Sequence, residues 1–547
     1  MENRDTYAER KALEQIKQDR AAVLMLQGTA SDVGKSIVTT ALCRIFLQDG
    51  LRPVPYKSQN MALNSYVTLD GKEIGRAQGV QAEACGLQAT TDMNPILIKP
   101  VKDMHSQIVV HGVPRMQMSA MDYRTTFLPQ AKTIVLDALD RLRERYDIVL
   151  MEGAGSPAEI NLKDRDIVNM NLAGWADAPV ILISDIDRGG VFASLVGTLE
   201  LLEPHERARV KGFIINKFRG DLELLRPGLD WLAERTGIPV LGVLPYIQDL
   251  RIEAEDSVVL DELQYRKQKE RDLDIVVIRY PRISNFTDFD ALRWEPDVVV
   301  RYVNTVEDIG TPDVIILPGT KDTISDLAFL RERGLDQIIM EQVNEQDIQL
   351  VGICGGYQML GKSLFDPHAV ESKTKQAEGL GVLPLVTTFS KEKRTVRVKG
   401  TIAQGHPLRM GEKDVTMLSV EAYEIHMGVT KNTDVPGEPY VDYKPIFVLN
   451  ADTDSELALG GAANVHFEGC GVVDGKVWGT YLHGLFDNDR LRRSWLDGLR
   501  IRKGLEPVSE TFEAAAYKTE EFDRIAKEVR THLDMDRIYE IVGLQKE

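Results

Sequence analysis

Two short stretches of this sequence combine residue types that do chemistry. The first is Gly28-Thr29-Ala30-Ser31-Asp32-Val33-Gly34-Lys35-Ser36, which follows the apolar run Ala22-Val23-Leu24-Met25-Leu26. A strand that opens through a glycine-rich turn into a helix gathers backbone N–H groups and the positive end of the helix dipole around one point, and that suits phosphate. Lys35 would offset the charge of the β- and γ-phosphates of ATP, and the Ser36 hydroxyl would ligate Mg²⁺. The second stretch is Gly352-Ile353-Cys354-Gly355-Gly356, between apolar Gln349-Leu350-Val351 and the helical pattern Tyr357-Gln358-Met359-Leu360. Glycines two before and two after the cysteine let strand and helix pack closely enough to hold a thiol in an exposed, strained elbow, and a helix amino terminus favours thiolate. A chain with both features couples ATP hydrolysis to chemistry at a carbonyl.

An acyl-transfer cysteine needs a base and an oxyanion site. His483 closes the apolar run Val477-Trp478-Gly479-Thr480-Tyr481-Leu482, where a base can face an active-site edge. The turn Leu317-Pro318-Gly319-Thr320-Lys321-Asp322 also ends a strand pattern, so N–H groups at Gly319 and Gly355 are candidates to hold a tetrahedral oxyanion. Glu152 stands at the end of the run Asp147–Met151 beside Gly153 and Gly155, a position open to a metal ligand or to a turn-capping carboxylate.

The elements that must position these groups follow a repeated pattern. Apolar runs at Val23–Leu26, Asp147–Met151, Pro179–Ile183, Gly212–Ile215 and Pro239–Leu244 alternate with helical spacing, which predicts an α/β domain with a mostly parallel sheet. The clearest helix follows the first loop, with Ile37, Ala41 and Ile45 and also Val38, Leu42 and Phe46 at spacings of four; Gly50 is its expected stop. A charged stretch, residues 251–272, marks a linker between residues 22–250 and a second α/β domain over 273–490. The second series of strands is Asp274–Ile278, Asp313–Leu317, Gln349–Ile353 and Val477–Leu482. A charged extension, 1–21, precedes the first domain, and a helical tail, 491–547, follows the second without a visible site.

With 547 residues the chain is too long for one core, and its 43% hydrophobic and 27% charged residues suit a globular protein. A formal charge of −18 argues against nucleic acid as a partner, since that affinity comes from clustered Lys and Arg. No apolar stretch reaches the roughly 18 residues of a membrane helix, and the charged start is neither anchor nor signal. The four cysteines, Cys43, Cys85, Cys354 and Cys470, form no Cys-x-x-Cys pair, which excludes a disulfide scaffold and suits a reducing cytoplasm. Oligomeric state is not legible.

The nucleotide loop has five residues between Gly28 and Gly34 instead of the usual four, and this Gly-Thr form resembles the dethiobiotin synthetase superfamily, whose members activate a carboxylate with ATP. That resemblance implies that Lys57, after Pro53-Val54-Pro55-Tyr56, faces the transferred phosphate. It also implies that Glu152 is the acidic Mg²⁺ ligand and that Asn216, in Asn216-Lys217, reads the adenine edge. The Cys354 and His483 segments resemble the class I glutamine amidotransferases, flavodoxin-like α/β domains in which the thiol attacks the glutamine amide and ammonia is released. Most of that class carries Glu two residues after the His; here that position is Leu485. The cobyrinate-amidating branch shares this departure and the segment Tyr423-Glu424-Ile425-His426-Met427-Gly428, so that Glu424 or another carboxylate orients His483. Together with Lys57-Ser58-Gln59-Asn60-Met61-Ala62-Leu63-Asn64-Ser65, Asn94–Pro100 and Asp185–Gly190, the two halves resemble the adenosylcobyric acid synthase family. The resemblance implies ATP, Mg²⁺, glutamine and a corrinoid substrate, with amidation of the b, d, e and g carboxylates of adenosylcobyrinic acid a,c-diamide. Two other readings share these residues: amidation of a different carboxylate (the a and c positions, or a cell-wall isoglutamate), and a nucleotide-dependent switch joined to an inactive amidotransferase domain.

Overall fold

The computed structural model describes residues 20–102, 105–253, 255, 260, 271–411, 415, 418–433, 442–450, 466–509 and 512–545. The charged extension and most of the expected linker lie outside the described residues. The chain forms two compact units. One takes the described residues of Met1–Ala62, Glu73–Ile252 and Tyr517–Glu547; the other takes those of Leu63–Lys72 and Glu253–Ala516. Among the described residues no helix is long and apolar enough to cross a membrane.

In the first unit six parallel strands lie in the order Val240–Pro245, Val210–Phe218, Val180–Asp185, Ala22–Gly28, Ile148–Glu152 and Pro53–Tyr56. Ala22–Gly28 sits between two neighbours, so its side chains Leu24, Met25 and Leu26 are fully buried, as a continuous apolar run requires. The helix Lys35–Gln48 packs on this sheet through Val38, Leu42, Phe46, Ala41 and Ile45, the residues that recur at spacings of four. It ends two residues before Gly50. A separate four-stranded sheet, Gln59–Met61, Ile96–Lys102, His105–Val110 and Val113–Ser119, has no counterpart among the sequence expectations.

The second unit is built on an eleven-stranded sheet. Its parallel half runs Val298–Val303, Leu273–Ile278, Val314–Leu317, Gln349–Ile353, Val477–Thr480. In chain order this is 2-1-3-4-5, the flavodoxin-like arrangement. Antiparallel strands extend it, among them the long pair Leu385–Ile402 and Ser419–Asn432. The pair escapes an apolar-run reading because its first strand carries Lys391, Glu392, Lys393, Arg394 and Arg397 on partly exposed positions.

Nor do the residues after 490 form a tail of their own. Asp489–Arg502 buries Trp495, Leu496 and Leu499 in the core of the second unit. The chain then returns to the first unit, where Phe522, Ile525, Val529, Ile538 and Tyr539 share a core with Phe46 and Ile45. The physical cause is the apolar face of each helix, which needs a core to cover it.

Candidate active site

The nucleotide loop leaves the carboxyl end of the central strand, the edge at which open parallel sheets bind ligands. Gly34 takes φ 96° at the helix entrance, a left-handed conformation that side chains disfavour. The Lys35 ammonium is folded back onto the loop, donating to the Ala30 carbonyl at 2.9 Å and the Gly155 carbonyl at 3.2 Å. Ser36 Oγ donates to Glu152 Oε1 at 2.8 Å, and Lys57 Nζ reaches the same oxygen at 3.1 Å. Glu152 is buried, which opposes its charge, but Lys57, Gln81 and Ser36 outweigh burial and hold its carboxyl below the usual range. Ser36, Lys57 and Glu152 are therefore brought to one point from three separate segments, with Lys35 in the same loop as Ser36. Gln81, whose Nε2 donates to Glu152 Oε2 at 2.6 Å, joins them from a helix with no sequence signal.

Thr29 Oγ1 and Ser184 Oγ are 2.8 Å apart, which ties the loop to the adjacent strand. Asn216 is placed beside the loop. Its Nδ2 donates to the Val33 carbonyl at 2.8 Å and its Oδ1 accepts from the Lys217 N–H at 2.9 Å, so the carboxamide braces the loop.

In the second unit Cys354 joins the strand Gln349–Ile353 to the helix Gly355–Leu360 with φ 52°, ψ −107°. A non-glycine residue in the left-handed half of conformational space is strained, and such strain gathers at functional turns. The flanking glycines are demanded by contact: a Cβ on Gly352 would lie 2.7 Å from the Tyr357 backbone, and one on Gly356 only 1.8 Å from the Leu317 carbonyl oxygen. Gly355 begins the helix, so its N–H lies outside the helix's own hydrogen-bond ladder. A Cβ on Gly355 would lie 3.1 Å from the Thr320 nitrogen, and one on Gly319 3.2 Å from His483 Cε1. The two expected oxyanion glycines thus border the same thiol and imidazole.

His483 is buried, and its orientation is set by a residue that sequence reasoning missed. Nδ1 pairs with Asp288 Oδ2 at 2.6 Å, and Asp288 Oδ1 accepts from the Gly484 N–H at 3.0 Å. Tyr423 stacks on the imidazole, with ring centroids 5.3 Å apart and planes 18° from parallel. Burial alone would depress the imidazole pKa; Asp288 and the neighbouring Cys354 reverse this and raise it to about 10. With Nδ1 held by the carboxylate, Nε2 is the nitrogen available for proton transfer.

Glu424 does not orient His483, contrary to expectation. Side chains alternate along a strand, so with Tyr423 turned to the imidazole its neighbour Glu424 faces the other way. Its carboxylate accepts from Arg394 and from His426 Nε2, the latter at 3.2 Å. Asp288 comes from the short 3₁₀ helix Phe286–Phe289, 195 residues before His483, so no local spacing could have marked it.

The fold and these two sites define a nucleotide-binding domain joined to a glutamine amidotransferase domain. Residues 24–259 match the family described as CobQ/CobB/MinD/ParA nucleotide binding domain, and residues 274–491 match the CobB/CobQ-like glutamine amidotransferase domain. Among curated relatives, the cobyric acid synthase of Desulforamulus reducens is 52% identical over 96% of this chain and 98% of its own length. Those of Dehalococcoides mccartyi and Citrobacter koseri are 49% and 48% identical, each over 96% of this chain and 99% of the relative. The chain belongs to the cobyric acid synthase family.

Proposed function

We propose that the protein uses ATP and glutamine to amidate the b, d, e and g carboxylates of adenosylcobyrinic acid a,c-diamide in cobalamin biosynthesis. The observation that carries the reading is the strained Cys354 elbow beside a His483 fixed by Asp288, because an inactive binding module has no need of an aligned nucleophile and base. The corrinoid substrate rests on the relatives, all named cobyric acid synthase and alike over nearly the whole chain.

In the second unit the Cys354 thiolate attacks the side-chain amide carbon of glutamine. N–H groups at Gly319 and Gly355 are suited to the oxyanion, and His483 gives its Nε2 proton to the leaving ammonia. Water, with His483 now as base, hydrolyses the thioester to glutamate. Ammonia is used as the free base in the first unit, since ammonium has no lone pair to attack with. There a corrin carboxylate attacks the γ-phosphorus of ATP, breaking its bond to the β-phosphate oxygen and releasing ADP, with Lys35 and Lys57 offsetting charge on the transferred phosphoryl group. Ammonia displaces phosphate from the acyl phosphate and leaves an amide. Ser36 Oγ and the ionised Glu152 are oxygen donors of the kind Mg²⁺ takes, and would hold it where it neutralises phosphate charge. Incubation with adenosylcobyrinic acid a,c-diamide, glutamine and ATP, followed by mass spectrometry, tests the reading: four added amides are expected, and no mass change with the corrinoid overturns it.

Asp288→Asn leaves the packing but offers the wrong hydrogen-bond partner to Nδ1, so glutamine hydrolysis is expected to fall about a hundredfold to a thousandfold. Ammonium-supported amidation should stay near wild type. The same variant has a pH signature. Since folding raises the His483 pKa from 6.5 to about 10, the charged pair stabilises the fold fully below pH 6.5 and loses that contribution as pH rises through about 10. The gap in melting temperature between wild type and Asp288→Asn should therefore be widest at or below pH 6.5 and narrow toward pH 10. A gap independent of pH would remove the ion pair from the account.

A further inference from the structure

The segment Leu63–Lys72 stands apart from its neighbours in sequence. The chain on either side of it, Met1–Ala62 and Glu73–Ile252, is assigned to the first unit, yet this segment is part of the second. It is also continuous with the stretch from Lys57 to Ser65, much of which the nucleotide chemistry leaves unused.

Its residues meet the groups that hold the thiol chemistry in place. Val67 is fully buried in a small apolar cluster with Tyr423 and Ile425. Tyr423 is the ring stacked on His483, and the two residues exchange backbone hydrogen bonds, Tyr423 N–H to His483 O at 3.1 Å and His483 N–H to Tyr423 O at 2.8 Å. The Ile425 carbonyl lies 3.7 Å from Cys354 Sγ. On the other side of the imidazole, Thr287, next to Asp288 in sequence, donates its hydroxyl to Asn64 Oδ1 at 3.3 Å, and both are buried. The segment is itself pinned, because Arg397 Nε donates to the Val67 carbonyl at 2.9 Å and its guanidinium lies 5.4 Å from the Tyr66 ring centroid.

We propose that Leu63–Lys72 is a structural part of the glutaminase site, in which Val67 and Asn64 are positioning residues that hold Tyr423, His483 and Asp288 in register with Cys354. This rests on the amidotransferase reading above. The physical reason is packing: the imidazole is fixed by a ring on one face and a carboxylate at one nitrogen, and each support is backed by one residue of the segment. A cavity under Tyr423 lets the ring and the imidazole shift, and small misplacements of catalytic groups are costly.

The test compares Val67→Ala, Val67→Ile and Asn64→Ala with wild type for glutamine hydrolysis and for amidation supported by ammonium. Val67→Ala is expected to lower the glutaminase kcat about tenfold, with KM for glutamine within about twofold. Val67→Ile, which keeps a β-branched side chain behind the ring but adds a methylene to a fully buried site, should retain more of the rate than Val67→Ala, and Asn64→Ala should lower kcat about threefold. Ammonium-supported amidation should stay within about twofold in all three, a readout that general loss of structure would not spare. A glutaminase kcat near wild type in both alanine variants overturns the inference, and so does an equal loss of both activities in folded protein. If Val67→Ala fails to fold, Asn64→Ala carries the test alone. Wild-type protein without glutaminase activity would instead sink the amidotransferase reading itself.

Discussion

Cys354→Ser is expected to remove glutamine-dependent amidation altogether, a loss on the order of a hundred-thousandfold in glutaminase rate, while ammonium at alkaline pH still supports amide formation. A serine hydroxyl is a far weaker nucleophile than a thiol, and His483 is already committed to Asp288 through Nδ1. The substitution is close to isosteric, so the strained turn between Gln349–Ile353 and Gly355–Leu360 should survive. Nothing in the first unit depends on the thiol. Separate assays with glutamine and with ammonium chloride check this, and loss of both activities in a folded variant would show that one site serves both half-reactions.

Lys35→Ala should abolish amidation with either nitrogen source, by about ten-thousandfold, because a charge that faces the transferred phosphoryl is missing. In the structure Lys35 Nζ donates to the Ala30 and Gly155 carbonyls, at the loop that would hold phosphate, and Lys57 pairs with Glu152. The loop itself should persist, since Gly34, Asn216 and the Thr29–Ser184 contact shape it without the lysine side chain. Basal glutamine hydrolysis in this variant should stay near wild type. Ammonium-supported turnover near wild type would mean that the Gly28–Ser36 loop is not the catalytic nucleotide site.

Residues 20–50 and 349–360 were legible because their physics is local. A strand that must turn through glycine into a helix needs its small residues at fixed offsets, and a Cβ at Gly352 or Gly356 would collide with backbone, so the constraint is written in consecutive letters. Most of the parallel strands were legible too, since burial on both faces requires unbroken apolar runs, though Val298–Val303 was not among those expected. Less was visible where partial exposure interrupts the apolar pattern, as in Leu385–Ile402, and the helical tail could be read as helical but not assigned to a core, because an amphipathic helix does not say which core it covers.

The decisive failure was Glu424. It belongs to the Tyr423–Gly428 segment beside the site, but strand alternation turns it from His483 toward Arg394 and His426. Asp288 takes the role instead, and Asn64 and Val67 sit behind the array from still farther along the chain. By itself the sequence marked the nucleotide loop, Cys354 and His483 as candidates, because glycines at fixed offsets mark the two turns and His483 closes an apolar strand. Only the tertiary structure decided which groups orient them, because a side chain that acts through space can come from any segment the fold brings within hydrogen-bond reach.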